Sequence, residues 1–332
     1  MSEKINNIII TGGCGFIGSH MVEHFIKNTN DNIIVIDKLS YSSNGFERLR
    51  DTGLIDNKRV KIFTCDLVNE ISEGLMKEFG DVHYIIHLAA ESDVNKSIKN
   101  PVPFVLNNIH STLNILEYAR KCKNLKRFIY FSTDECYGPC YKGQPDFTEN
   151  DKHHSTNPYS ASKSGGEQLS IAYENTYKLP IITVNVMNVI GERQYVEKFI
   201  PKCIKYILSG DTIDIHCDTN FVSGSRGYIH GRNVSAAILF LLKNGTVGEL
   251  YHITGETEVT NLEMAQFISS VIGIELKYKM VDSVIDRPGH DLRYALDGTK
   301  LFNLGFKQPV NFFDSLRKTI EWTLKNTKWL KE

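Results

Sequence analysis

The chain has no uninterrupted apolar stretch of the roughly 18 residues that a membrane-crossing helix requires, so no span is expected. It has no surplus of either charge: 38 basic side chains stand against 39 acidic ones, a net charge of -1. That balance favours neither nucleic acid nor an anionic membrane as a partner. It has no CxxC pair. Its seven cysteines are odd in number and scattered, which speaks against a disulfide framework and for a reduced, cytoplasm-like compartment. The opening MSEKINNIII has neither the apolar core nor the small-residue cleavage site of a secretion signal. Internal repeats and low-complexity tracts are missing, and no Pro/Gly-rich linker marks a domain boundary. No metal centre is expected. His83 and His87 are four apart in a predicted strand, which separates them by about 13 Å. Cys136 and Cys140 read as free thiols near a loop.

What is present is rhythm. At 332 residues and 41% hydrophobic content, the chain suffices for one large domain or two smaller ones. INNIIIT, NIIVID, VKIFTCD, HYIIHLAA, RFIYFST and PIITVNV are short, β-branched or aromatic runs. Amphipathic segments stand between them, notably GFIGSHMVEHFIKN, a stretch after Pro101 and Pro103 to about Lys121, and Tyr159 to about Tyr177. Strands alternating with helices of this length predict an α/β fold, a parallel sheet with helices on both faces. After about residue 186 the segments shorten and become more polar. Residues 1–185, with 228–252 returning to them, are expected to form a Rossmann-type doubly wound domain. Residues 186–227 and 253–332 are expected to form a smaller C-terminal α/β lobe that holds the substrate.

The turn after the first strand reads TGGCGFIG. Gly12, Gly15 and Gly18 there permit a tight turn and let backbone N–H groups approach a pyrophosphate at a helix N-terminus. Asp37 ends the second strand, where a carboxylate accepts the hydroxyls of an adenosine ribose and repels a 2′-phosphate. NAD is therefore expected rather than NADP, with Lys38 next door weakening that preference. Asp66, closing VKIFTCD, is placed to reach the adenine edge or to serve as an ordinary loop aspartate.

NPYSASK places Tyr159 and Lys163 one helical turn apart on one face. A phenol is a poor base at its ordinary pKa of about 10, but a neighbouring ammonium and a positive nicotinamide favour the phenolate. Such a pair can take the proton of a substrate alcohol. Just upstream, FSTDECYG sets Asp134 beside Glu135 directly after an apolar strand. Two adjacent carboxylates displace one another's pKa, which suits one to act as an acid and the other as a base.

TGGCGFIG, HLAAES, FSTDECYG and NPYSASK together resemble the extended short-chain dehydrogenase/reductase family, which acts on nucleotide sugars. DKLSYSSN, STDECYG, NVIGERQYVEKFIP and DRPGHDLRY are similar, more narrowly, to its NDP-glucose 4,6-dehydratases. The resemblance implies a lyase that oxidises C4, eliminates water across C5–C6 and returns hydride to C6. The product is a 4-keto-6-deoxy sugar that feeds deoxysugar synthesis, for example of rhamnose. In that scheme Tyr159 and Lys163 serve the oxidation, Asp134 is the acid, Glu135 is the base, and Thr133 hydrogen-bonds the 4-oxygen.

The resemblance also implies cofactor contacts from Phe16 and Ile17 in the loop, from Lys38, and from Leu67 beside Asp66. Leu88, Ala89 and Ala90 after the fourth strand, and Asn108 of the next helix, join them. It implies nucleotide-sugar contacts from Ser92, Asn188, Glu197 and Lys198, and from Arg226, Asn261 and His290. Asp93, Asn95, Lys96, Val189, Ile190 and Glu192 depart from the family pattern and place the sugar and nucleotide contacts in question. UDP-glucose is favoured slightly over dTDP-glucose, because DKLSYSSN and NNIHST resemble eukaryotic-type members. Relatives pair as homodimers through two long helices, here those near 101–121 and 158–177. Two alternatives stay open: a 4-epimerase or decarboxylase of the same family, and a non-catalytic NAD-binding sensor or scaffold.

Overall fold

A computed structural model describes residues 5–141, 143–282 and 293–331. Seven parallel strands form the central sheet: β1 (Asn7–Thr11), β2 (Asn32–Asp37), β3 (Val60–Thr64), β4 (Tyr84–His87), β5 (Arg127–Thr133), β6 (Ile181–Val186) and β10 (Leu250–Ile253). Their order across the sheet is β10-β6-β5-β4-β1-β2-β3. A parallel sheet covered on both faces needs strands apolar on both sides, and the sequence supplies them. In β1, Ile8 and Ile10 point to one hydrophobic cluster and Ile9 to the other. In β2, Ile33 and Val35 alternate with Ile34 and Ile36 in the same way. Each such side chain, fully buried, contributes about 1.5–3 kcal/mol relative to exposure.

One face is covered by α1 (Phe16–Asn28) and α8 (Gly231–Asn244), whose Met21, Phe25, Val234 and Leu241 join the first cluster. The other face is covered by α3 (Glu73–Phe79), α5 (Pro101–Lys121) and α6 (Pro158–Tyr177). Pro101 and Pro103 fall in the first turn of α5, where their missing N–H groups cost nothing. The chain between β6 and β10 leaves the sheet and then returns to it.

A smaller lobe has its own core around Ile200, Ile204, Ile215, Met264, Phe312 and Leu316. It is built from α7 (Phe199–Ser209), α9 (Asn261–Ile272), the helix Phe312–Lys325 and short strands. The strands β7 (Asn188–Ile190), β9 (Ser225–His230), β11 (Glu258–Thr260) and β13 (Arg293–Tyr294) form one small sheet. The strands β8 (Ile213–Cys217) and β12 (Tyr278–Asp282) pair separately.

In the large sheet, β1 has β2 on one side and β4 on the other, so the winding direction reverses at that point. Such a reversal opens a crevice beyond the carboxyl ends of the strands. Among the described residues no helix is long and apolar enough to cross a membrane. All seven cysteines are free, with Cys136 and Cys140 both buried. His83 and His87 have separate partners, Asn7 N–H for the first and the Thr11 and Thr112 hydroxyls for the second.

Candidate active site

The crevice is a cleft of about 350 Å³ running from the glycine turn to the smaller lobe. At one end the chain is shaped for close approach. Gly12 has φ +69, and a Cβ on Gly18 would stand 2.1 Å from the Gly12 carbonyl oxygen. Only glycine fits both positions. Gly15 caps α1 without offering a side-chain acceptor, so the first-turn N–H groups remain available for an anion. The Asp37 carboxylate accepts from Cys14 N–H (3.0 Å) and Leu39 N–H (2.8 Å). These bonds fix it at the cleft wall with lone pairs to spare. Thr11 Oγ1 accepts from the N–H groups of Leu88 and Ala89 at 3.1 Å each, binding the HLAA segment against the turn. This cradle fits a dinucleotide.

Phe16, Ile17, Lys38, Asp66, Leu67, Leu88, Ala89 and Ala90 line the cleft with these groups. Lys38 is committed to Glu91 (2.7 Å) and Asn107 (2.7 Å), so its ammonium is already partnered. Asn108 does not line the cleft. It is buried, donates to the Glu91 carbonyl and to Ser162 Oγ, and accepts from Glu91 N–H. Its amide holds the loop after β4 to α5 and α6, and Asn107 and Ser111 line the cleft instead.

At the other end stands the Asp-Glu pair. β5 ends at Thr133, and a single 3₁₀ turn, Asp134–Tyr137, follows with Thr133 as its cap. That turn brings Asp134 and Glu135 to the cleft rather than to bulk solvent, beside Thr133, Tyr159 and Lys163. Asp134 is 3% exposed. Its Oδ1 accepts from Thr133 Oγ1 (3.0 Å) and Glu135 N–H (3.1 Å), while Oδ2 is buried with no hydrogen-bond partner. Glu135 is half-buried and accepts from Asn157 Nδ2 at 3.2 Å.

Burial pushes Asp134 up to about 6, against the hydrogen bond from Thr133 and the charge of Arg226. Burial, and then the Asp134 charge, push Glu135 up to about 7. Both carboxyls thus stand above the ordinary carboxylate range, so the pair can hold a proton while one member remains a base.

Tyr159 and Lys163 lie at the start of α6, which opens on an Asn157–Ser160 capping box with Pro158 at its first position. Asn157 thus has two tasks, capping the helix and holding Glu135. NPYS advertises the cap in sequence but not the second task. Lys163 is buried, its ammonium 4.6 Å over the Tyr130 ring, and burial lowers it to about 8. Tyr159 differs from the sequence expectation. Burial, followed by the Glu135 charge, raises its phenol well above its ordinary value. Lys163 alone does not overcome those two effects, so the isolated chain holds a phenol.

Of the residues expected to meet a nucleotide sugar, Ser92, Asn188, Glu197 and Lys198 line the cleft. Arg226 lies on β9, its guanidinium 4.6 Å over the Tyr294 ring, outside the lining but close enough to act on both carboxylates. Asn261 is turned to the Tyr228 hydroxyl (3.1 Å). His290 lies outside the described residues.

The off-pattern residues divide. Val189 and Ile190 line the cleft, whereas Glu192 does not. It is buried against Arg232 and, at 3.3 Å, His230. Its Oε1 is paired with Arg232, outside the cleft lining. Asp93 caps the short helix Val94–Lys99 through Lys96 N–H (3.0 Å), and Lys96 reaches Glu197 at 3.4 Å. Asn95 is exposed.

Comparison with known proteins gives the family and the fold. The family model described as GDP-mannose 4,6 dehydratase matches residues 9–319. A dTDP-glucose 4,6-dehydratase of Neisseria gonorrhoeae is 36% identical, over 98% of this chain and 97% of that one. A trifunctional Arabidopsis thaliana protein named for UDP-glucose 4,6-dehydratase and two further activities is 37% identical, over 98% of this chain and 48% of its own length. The crystal structure of a dTDP-glucose 4,6-dehydratase from Streptomyces venezuelae, with NAD and TYD bound, superposes with a TM-score of 0.87. It is 33% identical and covers 98% of this chain and 99% of that chain. The chain belongs to the GDP-mannose 4,6-dehydratase family. It is an enzyme of the hydro-lyase kind.

Proposed function

We propose that this enzyme converts a pyrimidine-nucleoside-diphosphate glucose into its 4-keto-6-deoxy derivative. The observation that carries the reading is the Asp134–Glu135 pair, brought by one 3₁₀ turn into the same cleft as Tyr159 and Lys163. A 4-epimerase or a decarboxylase eliminates no water across C5–C6 and has no use for such a pair. A sensor or scaffold has no use for any of the four.

NAD, held by the glycine turn, Asp37 and the HLAA segment, would supply the acceptor for the hydride leaving C4 and the donor for the hydride reaching C6. The chain's own residues handle the protons. Tyr159, as phenolate, takes the proton of the 4-hydroxyl. Thr133 holds the 4-oxygen. The resulting ketone acidifies C5–H, which Glu135 removes. Asp134 protonates the 6-hydroxyl, the C6–O bond breaks and water leaves. Glu135 returns its proton to C5. Lys198, whose ammonium is 3.4 Å from the Ser92 carbonyl, stands at the lobe side of the cleft, where a diphosphate needs a cation.

Relatives named for dTDP-glucose and for UDP-glucose stand at 36% and 37% identity, so both substrates belong in the test. The protein is incubated with each, base is added, and the ultraviolet absorbance of a 4-keto sugar is read. Reaction in deuterated water places label at C5. Absence of signal with both substrates refutes the reading. The dimer follows the same logic. Val102 and Leu106 of α5 and Ile171 and Tyr177 of α6 are exposed apolar residues on two packed helices, a surface suited to a second copy. Sedimentation of the intact protein tests it.

A further inference from the structure

Opposite charges adjoin at the end of β2. Asp37 repels a 2′-phosphate, whereas Lys38, the next residue, would attract one, and both line the cleft. A phosphate ester carries a charge of about −1.5 to −2 at neutral pH. A free ammonium here would therefore offset the repulsion that reserves the cradle for NAD.

The Lys38 ammonium is not free. It meets Glu91 Oε1 at 2.7 Å and donates to Asn107 Oδ1 at 2.7 Å. Glu91 follows β4, and Asn107 lies in α5. β4 and β2 flank β1 on opposite sides, so two strand spacings, about 10 Å, separate their ends. The lysine is thus drawn across the end of β1 toward the β4 side, away from β3 and the loop of Asp66. Glu91 itself does not line the cleft. Its backbone is held by Asn108, which accepts from its N–H and donates to its carbonyl, so the side chain can change while the loop keeps its anchor. Arg48 also lines the cleft, but it is fully buried and donates to the carbonyls of Ser42, Ser43 and Arg193. Its unpartnered nitrogen, Nη2, is buried too. Lys163 and Lys198 belong to the other end of the cleft. Lys38 is therefore the cation whose availability decides how a 2′-phosphate is received.

We propose that Glu91 determines cofactor specificity: by neutralising Lys38 and drawing it aside, it leaves Asp37 unopposed and excludes NADP. The inference concerns the nucleotide cradle and stands apart from the dehydratase reading.

The full-length protein is loaded with radiolabelled NAD, and the concentrations of unlabelled NAD and NADP that displace half of the label at equilibrium are compared. Their ratio is the discrimination. Glu91→Gln keeps an acceptor for Lys38 and removes the charge. Its ratio should fall at least about tenfold below wild type, through tighter NADP binding. Glu91→Ala, a second variant, should shift the ratio at least as far. The ion pair is half-buried at the surface, where such pairs add little to stability, and retained label shows that each variant is folded. Lys38→Met in the Glu91→Gln background should cancel the gain.

A Glu91→Gln ratio within about twofold of wild type overturns the proposal. So does a gain that survives Lys38→Met, because the carboxylate would then repel the phosphate directly rather than act through the lysine.

Discussion

Glu135→Gln separates the two halves of the proposed reaction and reports on stability at the same time. The substitution keeps the volume and leaves an amide oxygen for Asn157 Nδ2, while removing the base. Losing general-base assistance costs about 10²–10⁴ in rate, and only in the step after oxidation. The reduced nicotinamide should therefore accumulate and be visible by its near-ultraviolet absorbance. Oxidation itself should become easier, because Glu135 is the second-largest influence holding Tyr159 up. Its pH profile should move to lower pH.

The stability effect has a definite sign. In the folded chain Glu135 is raised from 4.5 to about 7, so the folded state binds that proton more tightly than the unfolded one. The associated stability is complete below about pH 4.5 and is lost as pH rises through about 7. The rise corresponds to at most about 3 kcal/mol. At pH 8 the Gln variant should exceed wild type by up to that amount in denaturant unfolding, and at pH 4 the two should coincide. A Gln variant with normal turnover, or one no more stable than wild type at pH 8, would refute the reasoning.

Tyr159→Phe should lose about 10²–10⁴ in rate and accumulate no reduced cofactor, with nucleotide-sugar binding by calorimetry unchanged. Gly18→Ala sets a methyl 2.1 Å from the Gly12 carbonyl oxygen. The turn must open, so NAD retention on purification and thermal stability should fall together. Asn157→Ala removes a helix cap worth about 0.5–2 kcal/mol, and with it a bond that favours the Glu135 anion. The acid limb of the pH–rate profile should move to higher pH, whereas an unmoved limb would show that Asn157 only caps.

The large sheet was legible because its strands are buried on both faces and read as β-branched runs. The glycine turn was legible because its spacing is dictated by close backbone contacts. Tyr159 and Lys163 share a helical turn, and Asp134 and Glu135 adjoin, so local spacing places each pair. What the sequence did not disclose depends on the direction of single side chains across the fold. Asn108 is buried among Glu91 and Ser162 rather than turned to the cleft. Glu192, next to cleft-lining residues in sequence, is turned away toward Arg232 and His230. The lowering expected of Tyr159 from Lys163 neglected a carboxylate that only the 3₁₀ turn brings near. Arg226 acts on that carboxylate pair from another sheet altogether. None of these follows from periodicity, because each is a contact between distant segments.

The excursion of the chain between β6 and β10 fixes what can be cut from this enzyme. β10 lies against β6 at the rim of the sheet, in parallel register from Leu250 to Ile253, and α8 lies over α1. A fragment ending near residue 185 would bare the whole length of an apolar strand to water, an invitation to intermolecular pairing. The large-sheet half is therefore no portable cassette: it is completed by chain that first travels through the smaller lobe, and the two must be inherited, expressed and engineered as one.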